Sequence, residues 1–331
     1  MQALQKKLPG LLILAGLIAA GVVCQPANGH APDSERLSKD AEFREYWYNG
    51  TAELNRYQLE QARYGELHAG EAVLIFVTEA FLKSKQVKYE GPYDGPGASN
   101  ALDIFKINAT RKFFTGIYPY STMTSTFTPV DDGPARRKAL KITTSVQEWC
   151  GHVYAQLNLR GDEYRVRSHS YFEREADQNF AIKDSITEDG LWALIRLNPE
   201  ALPRGRVELL PGTQFLRLRH LPTRSESATI ELRDLDVSKN AADASLRVGA
   251  AALQVYEIQY ANIPRTLRIA FEKDFPHGIV AWEEVGESGW GPSKKTLTTR
   301  ARRTNIMRTD YWARHLNRDA PLRAKLGVTS K

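Results

Sequence analysis

From residue 52 to residue 303 the chain keeps returning to a period of two. Glu71 to Thr78 reads Glu-Ala-Val-Leu-Ile-Phe-Val-Thr, and similar β-branched or aromatic runs recur at Gln254 to Tyr260, Thr266 to Glu272 and Ile279 to Val285. Turn formers separate the runs: Gly65 to Gly70, the Gly- and Pro-rich Glu90 to Ser99, Asp131-Asp-Gly-Pro134, and Gly161-Asp162. Side chains alternate across a strand, so each run has one face to bury and must find neighbours. The pattern predicts about eleven to thirteen strands in a mainly β fold. The expected form is an antiparallel curved sheet, closed as a half-barrel or barrel or folded as a sandwich. Short helices are expected over Ser34 to Tyr48, Glu188 to Ile195 and Asp310 to Asn317, while Phe215 to His220 reads as a strand. No linker divides the body, so residues 49–331 are expected to form a single β-rich domain after a tether and helix at 30–48.

The first 29 residues do not belong to that pattern. Lys6 and Lys7 precede an apolar run from Leu8 to Val23, the layout of a secretory signal peptide. Three readings are compatible with it: cleavage after Gly29, lipidation of Cys24, or an uncleaved anchor. Each places the body outside the cytoplasm, in the periplasm or envelope, as a soluble protein or a membrane-anchored lipoprotein. Cys24 and Cys150 are the two cysteines, which excludes a disulfide framework. Hydrophobic residues at 42% and charged residues at 25% exclude a disordered chain and a multi-span membrane protein.

Charge is unevenly spread. Between Lys294 and Lys325 stand ten basic and two acidic residues. Arg300, Arg302, Arg303 and Arg308 are the candidates for contact with an anionic surface; a solvated basic face is the plainer account. No nucleic-acid module is present, and nucleic acid is not an expected partner.

The densest polar patch lies around residues 146–174. If Gly161-Asp162 is a two-residue turn, Tyr154 faces His169, His152 faces Tyr171 and Cys150 faces Glu173. Glu148, Cys150, His152, Tyr154, His169, Tyr171 and Glu173 then share one face, with Trp149, Val153, Leu157, Val166 and Phe172 on the other. That polar face reads as the lining of a ligand cavity, as a zinc or Cys–His site, or as an ordinary outer surface. No metal or catalytic spacing motif selects among them, and neither a metal nor a cofactor is expected. Glu283-Glu284 with Glu287 reads as an acid/base pair or an exposed loop cluster.

Longer runs carry a resemblance. Trp47 to Tyr57 (Trp-Tyr-Asn-Gly-Thr-Ala-Glu-Leu-Asn-Arg-Tyr), Gln61 to His68, Ala72 to Glu79, Thr115 to Ser121, Gln147 to His152 and Thr309 to Trp312 resemble an uncharacterised family of exported bacterial proteins, often lipoproteins. That family often carries the label septum formation inhibitor Maf. Genuine Maf nucleotide pyrophosphatases have an early Ser-Pro-Arg-Arg type phosphate-binding motif, which this sequence lacks. The resemblance implies an exported envelope protein and supplies no catalytic residues. The leading expectation is therefore non-enzymatic binding of a hydrophobic or amphipathic ligand, such as a lipid, or of an envelope partner, with membrane association through Cys24 or the basic C-terminal segment. A hydrolase or metal-binding enzyme centred on the 148–173 hairpin and a structural envelope protein are the alternatives.

Overall fold

The computed structural model describes residues 41–92, 95, 97–130 and 138–328. The signal segment, Cys24 and the Asp131-Asp-Gly-Pro134 turn lie outside the described residues.

The chain begins with α1 (Ala41–Trp47), which carries Phe43 and Trp47 into the core. Eight strands then run antiparallel to their neighbours: β1 (Ala52–Arg63), β2 (Glu66–Leu82), β4 (Ala101–Thr115), β5 (Tyr118–Pro129), β6 (Lys141–Glu148), β7 (Gly151–Arg160), β8 (Glu163–Ser170) and β9 (Gln178–Lys183). The two-residue β3 (Val87–Lys88) pairs only with the end of β2. After β9 come β10 (Ile186–Thr187), α2 (Glu188–Leu197), β11 (Gly205–Leu210) and α3 (Thr213–Arg219). A second meander follows: β12 (Glu226–Asp234), β13 (Leu253–Tyr260), β14 (Arg265–Glu272), β15 (Ile279–Ser288) and β16 (Lys295–Thr309), with α4 (Pro321–Leu326) at the end. β16 pairs with β1, which joins the two meanders into one curved, unclosed sheet of 16 strands.

Curvature follows from connectivity. β9 and β10 lie at opposite ends of the strand order, yet only Asp184 and Ser185 join them. Two residues reach roughly 10 Å, so the sheet curls until its edges nearly meet. No ladder pairs β9 with β10. Ser225 Oγ, just ahead of β12, donates to Ser185 Oγ in this link at 3.0 Å.

The hollow is largely filled by α2. Thr187 caps the helix, its hydroxyl accepting from the Gly190 amide at 3.3 Å. Glu188 and Asp189 occupy the first turn and Arg196 the last, the arrangement that complements a helix dipole. Leu191, Ala193, Leu194 and Ile195 pack into a cluster with Trp47, Tyr57, Phe76, Phe105 and Trp282 from α1 and the sheet. Burial on several sides at once makes α2 a core helix inside the curl. At its C-terminal end Arg196 is fully buried and grips Glu53 through two bonds of 2.7 and 2.9 Å. Tyr46 donates to the same carboxylate at 2.5 Å and Asn55 at 2.6 Å.

Three expectations change in detail. Phe215 to Arg219 belongs to α3, with His220 as its left-handed C-cap; the helix buries Thr213, Gln214, Leu216 and Leu218, so the short apolar run is part of a helix and not a strand. The closing helix expected at Asp310 to Asn317 is two 3₁₀ turns, and the α-helix comes later, at α4. Glu283 and Glu284 lie on β15: Glu283 pairs with Arg268 and Arg300, and Glu284 with Arg265.

Candidate functional site

Between the N-terminal turn of α2, α3 and the inner faces of β1, β2, β4, β14 and β15 lies a cavity of about 80 Å³. That is room for a handful of waters or a short organic group, at roughly 10–15 Å³ per water-sized probe. Leu74, Ile107, Trp192, Leu267 and Trp282 supply apolar wall. Four arginines (Arg63, Arg111, Arg219, Arg265) and four carboxyls (Glu188, Asp189, Glu284, Glu287) supply charge.

Most of these charges are committed. Arg265 from β14 binds both oxygens of Glu188 and, at 2.7 Å, Oε2 of Glu284. Tyr260 adds a 2.5 Å bond to Glu188. Burial alone would raise the Glu284 carboxyl, but the charges of Arg265 and Arg111 outweigh it and hold the group ionised, below its ordinary value. Arg63 donates to the carbonyl of Leu218 and reaches Tyr120 at 3.3 Å.

Three groups are not committed in this way. Arg219, half-buried at the end of α3, has no side-chain hydrogen-bond or ion-pair partner among the described residues. The other two lie deeper. Arg111, from the inner face of β4, donates to Gln61 Oε1 at 3.1 Å and lies 5.6 Å from the Trp282 ring centre. Among the described residues no carboxylate oxygen stands within 4 Å of it. Burial lowers its affinity for a proton, with the Glu284 charge opposing. Asp189 uses Oδ2 to accept from the Thr213 amide at 2.9 Å and the Thr213 hydroxyl at 2.8 Å. Burial pushes its carboxyl up to about 6, against those hydrogen bonds and with help from the neighbouring Glu188 charge. The remaining surface of Arg111 and Asp189 faces the cavity.

The hairpin expected as the site is built as its register predicted but faces the other way. Val153 pairs with Ser170 and Tyr154 with His169, around Gly161-Asp162. Val153, Leu157, Tyr164 and Val166 are the buried side chains. His152, Tyr154 and His169 project from the outer face, His169 against Asp177 at 3.3 Å. β8 stops at Ser170, so Tyr171 and Glu173 are exposed on the following turn and pair with neither His152 nor Cys150. Cys150 is exposed in a tight turn with Trp149 between β6 and β7. That turn shifts the alternation, and Glu148 alone of the seven is buried, accepting from the Cys150 amide at 2.7 Å. An apolar strand face is the one that gains by leaving water, which is why the polar face is outside. Among the described residues no group of three or more His, Cys, Asp and Glu is placed to hold a metal ion. No family model, curated protein or solved structure matches the chain.

The basic segment is also structural in large part. Arg300 bonds Glu283 at 2.8 Å, Arg303 bonds Glu272 at 2.5 Å, and Arg302 donates to the carbonyls of Ser245 and Arg247. Arg308 lies over the Tyr46 ring at 3.8 Å. β16 is an interior strand of the sheet, so its arginines find cross-strand partners.

A second, wider concavity of about 780 Å³ separates α3 from β7, β8 and the segment leading to β9. Val153, Leu157, Phe172, Phe180 and Leu216 line it. Glu175, Arg217 and His220 tie its edge together, with Glu175 bonding His220 at 2.6 Å and Arg217 at 3.2 Å. The expected hairpin does line this second concavity, but through its apolar face and, of the seven candidates, Glu173 alone. Sequence reasoning missed the first cavity as a site, although it singled out Glu284 and Glu287 from its wall, because its residues converge from positions between 61 and 299.

Proposed function

We propose that this protein binds, without transforming it, a small amphipathic acid in the cavity beside α2, its carboxylate on Arg111 and its apolar part against Trp192 and Trp282. The observation that carries this reading is a half-buried guanidinium with no ion-pair partner among the described residues, 5.6 Å from the centre of the Trp282 ring, on which Trp192 packs edge-on at 5.3 Å. A desolvated arginine gains most from an anion that matches its planar fork. The indole N–H of Trp282, buried and without a hydrogen-bond partner among the described residues, adds a donor near that wall. The resemblance to exported envelope proteins is the setting for the reading, and amphipathic acids are ordinary envelope components.

Calorimetric titration with straight-chain carboxylates of increasing length tests it. Short members bind the native protein, and Arg111→Met loses at least about tenfold in affinity, the value of one charge-assisted contact. Equal affinity for the variant, or no binding by any member, overturns the reading. If affinity instead keeps rising with long chains and ignores Arg111, the 780 Å³ cleft is the binding place.

A further inference from the structure

Six of the thirteen exposed large apolar residues among the described residues, including the four most exposed, gather at one place. At one rim of the curved sheet, successive turns each present at least one. Trp290 sits between β15 and β16, Leu67 beside the β1–β2 turn, and Phe114 and Ile117 at the β4–β5 turn. Trp149 follows at the β6–β7 turn and Tyr171 at the end of β8. Their exposures are high: Ile117 82%, Tyr171 76%, Trp149 69% and Trp290 66%. Antiparallel pairing puts alternate turns at the same end of a sheet, so these belong to one edge of the molecule. The register confirms the adjacency across the join of the meanders: Gly65 approaches Ser293, and Tyr64 packs on Trp290 at 5.2 Å between ring centres. Tyr118 stacks on Trp149 at 6.2 Å, which continues the row.

We infer that this rim docks on the interface of a lipid bilayer, with the turns inserted among the headgroups. Neighbouring turns are two strands apart, about 10 Å by strand spacing, so the row is an arc of separate points. An arc of separate protruding side chains suits a broad fluid surface better than a small ligand or the flat face of a partner protein. Trp and Tyr, which make up half of the row, are the residues that favour the headgroup layer, having an apolar body and a polar tip. Charge does not select the contact. Lys112, Arg174 and Lys295 are exposed there without an ion-pair partner among the described residues, and exposed Glu66 and Glu173 stand among them. The docking is therefore apolar, and salt does not release it. The connection carrying α3 and Leu221, 37% exposed, crosses the same end of the curl, so the side of both concavities nearest α3 faces the membrane. This inference does not depend on the cavity holding an acid.

Cys150 offers a reporter, since it is an exposed thiol beside Trp149. In the full chain with Cys24→Ser, a polarity-sensitive dye on Cys150 is mixed with vesicles of phosphatidylethanolamine and phosphatidylglycerol. A control carries the dye at Lys85→Cys, on the opposite rim, with Cys24 and Cys150 both changed to Ser. The expected result is a blue shift at Cys150 and none at Lys85→Cys, unchanged in high salt. Ile117→Ser with Trp290→Ser lowers partitioning by at least about tenfold, and both sites are exposed enough for the fold to be kept. Equal shifts at both rims, as from tethering through the N-terminal apolar segment alone, overturn the inference. So does the absence of any shift, or unaltered partitioning of the double variant with a native circular-dichroism melt.

Discussion

Glu53→Gln probes the ion pair that closes the C-terminal end of α2. Glu53 and Arg196 are 1% and 0% exposed, so the substitution leaves a guanidinium buried without its counter-charge. Breaking one side of such a pair costs about 3–5 kcal/mol. A second route gives a similar figure. Burial alone would raise the Glu53 carboxyl, but the Arg196 charge and the bonds from Arg196, Tyr46 and Asn55 bring it from the ordinary 4.5 down to about 2. Holding a carboxyl that far below its unfolded value contributes about 3 kcal/mol to folding. Because the folded value is the depressed one, the contribution is full above 4.5 and disappears as the pH falls through about 2. Urea titrations followed by near-ultraviolet circular dichroism at pH 7 and at steps down to pH 2 measure both effects. The wild type loses about 3 kcal/mol over that range through this group, and Glu53→Gln starts lower and follows a flatter profile. A loss under about 1 kcal/mol at pH 7, or an unchanged acid profile in the variant, refutes the reasoning.

Other outcomes follow from the same structure. Asp189, held up at about 6 by burial, faces Arg111, Arg219 and Arg265 as well as Glu188, Glu284 and Glu287. Its protonation leaves the cavity wall more positive, so carboxylate affinity rises as pH falls from 7.5 to 5, and Asp189→Asn abolishes that dependence in calorimetry. Gly65→Ala places a Cβ 2.2 Å from the Ser293 carbonyl oxygen at a backbone φ of +81°, and costs about 2 kcal/mol or more in a urea melt. His152→Ala and Cys150→Ser, on the outer face and at a turn, move stability by no more than about 0.5 kcal/mol and leave carboxylate binding intact; a larger change in either readout contradicts the placement of that face. 

Period and turn chemistry determined most of the secondary structure. The two-residue turn at Gly161-Asp162 fixed which residues oppose one another from Val153 to Ser170, because a hairpin of that loop length has a single register. The same logic supported the mainly β, curved, antiparallel sheet and the helix at Glu188 to Ile195, where Thr187 precedes two acids and a run of apolar residues. Short apolar runs carry less information. Phe215-Leu216-Arg217-Leu218 fits a strand or one helical turn, and its packing against β5 and β6 decided for the helix. Alternation also divides a strand into two faces without saying which one meets the core, so His152 and Tyr154 were legible as neighbours but not as outward-facing. The cavity belongs wholly to tertiary structure. Gln61, Arg111, Asp189, Arg265 and Glu284 come from five elements spread over more than two hundred residues, and only the curl of the sheet around α2 brings their side chains into one enclosed, low-dielectric space. There their charges acquire the strength that exposed residues of the same kind lack.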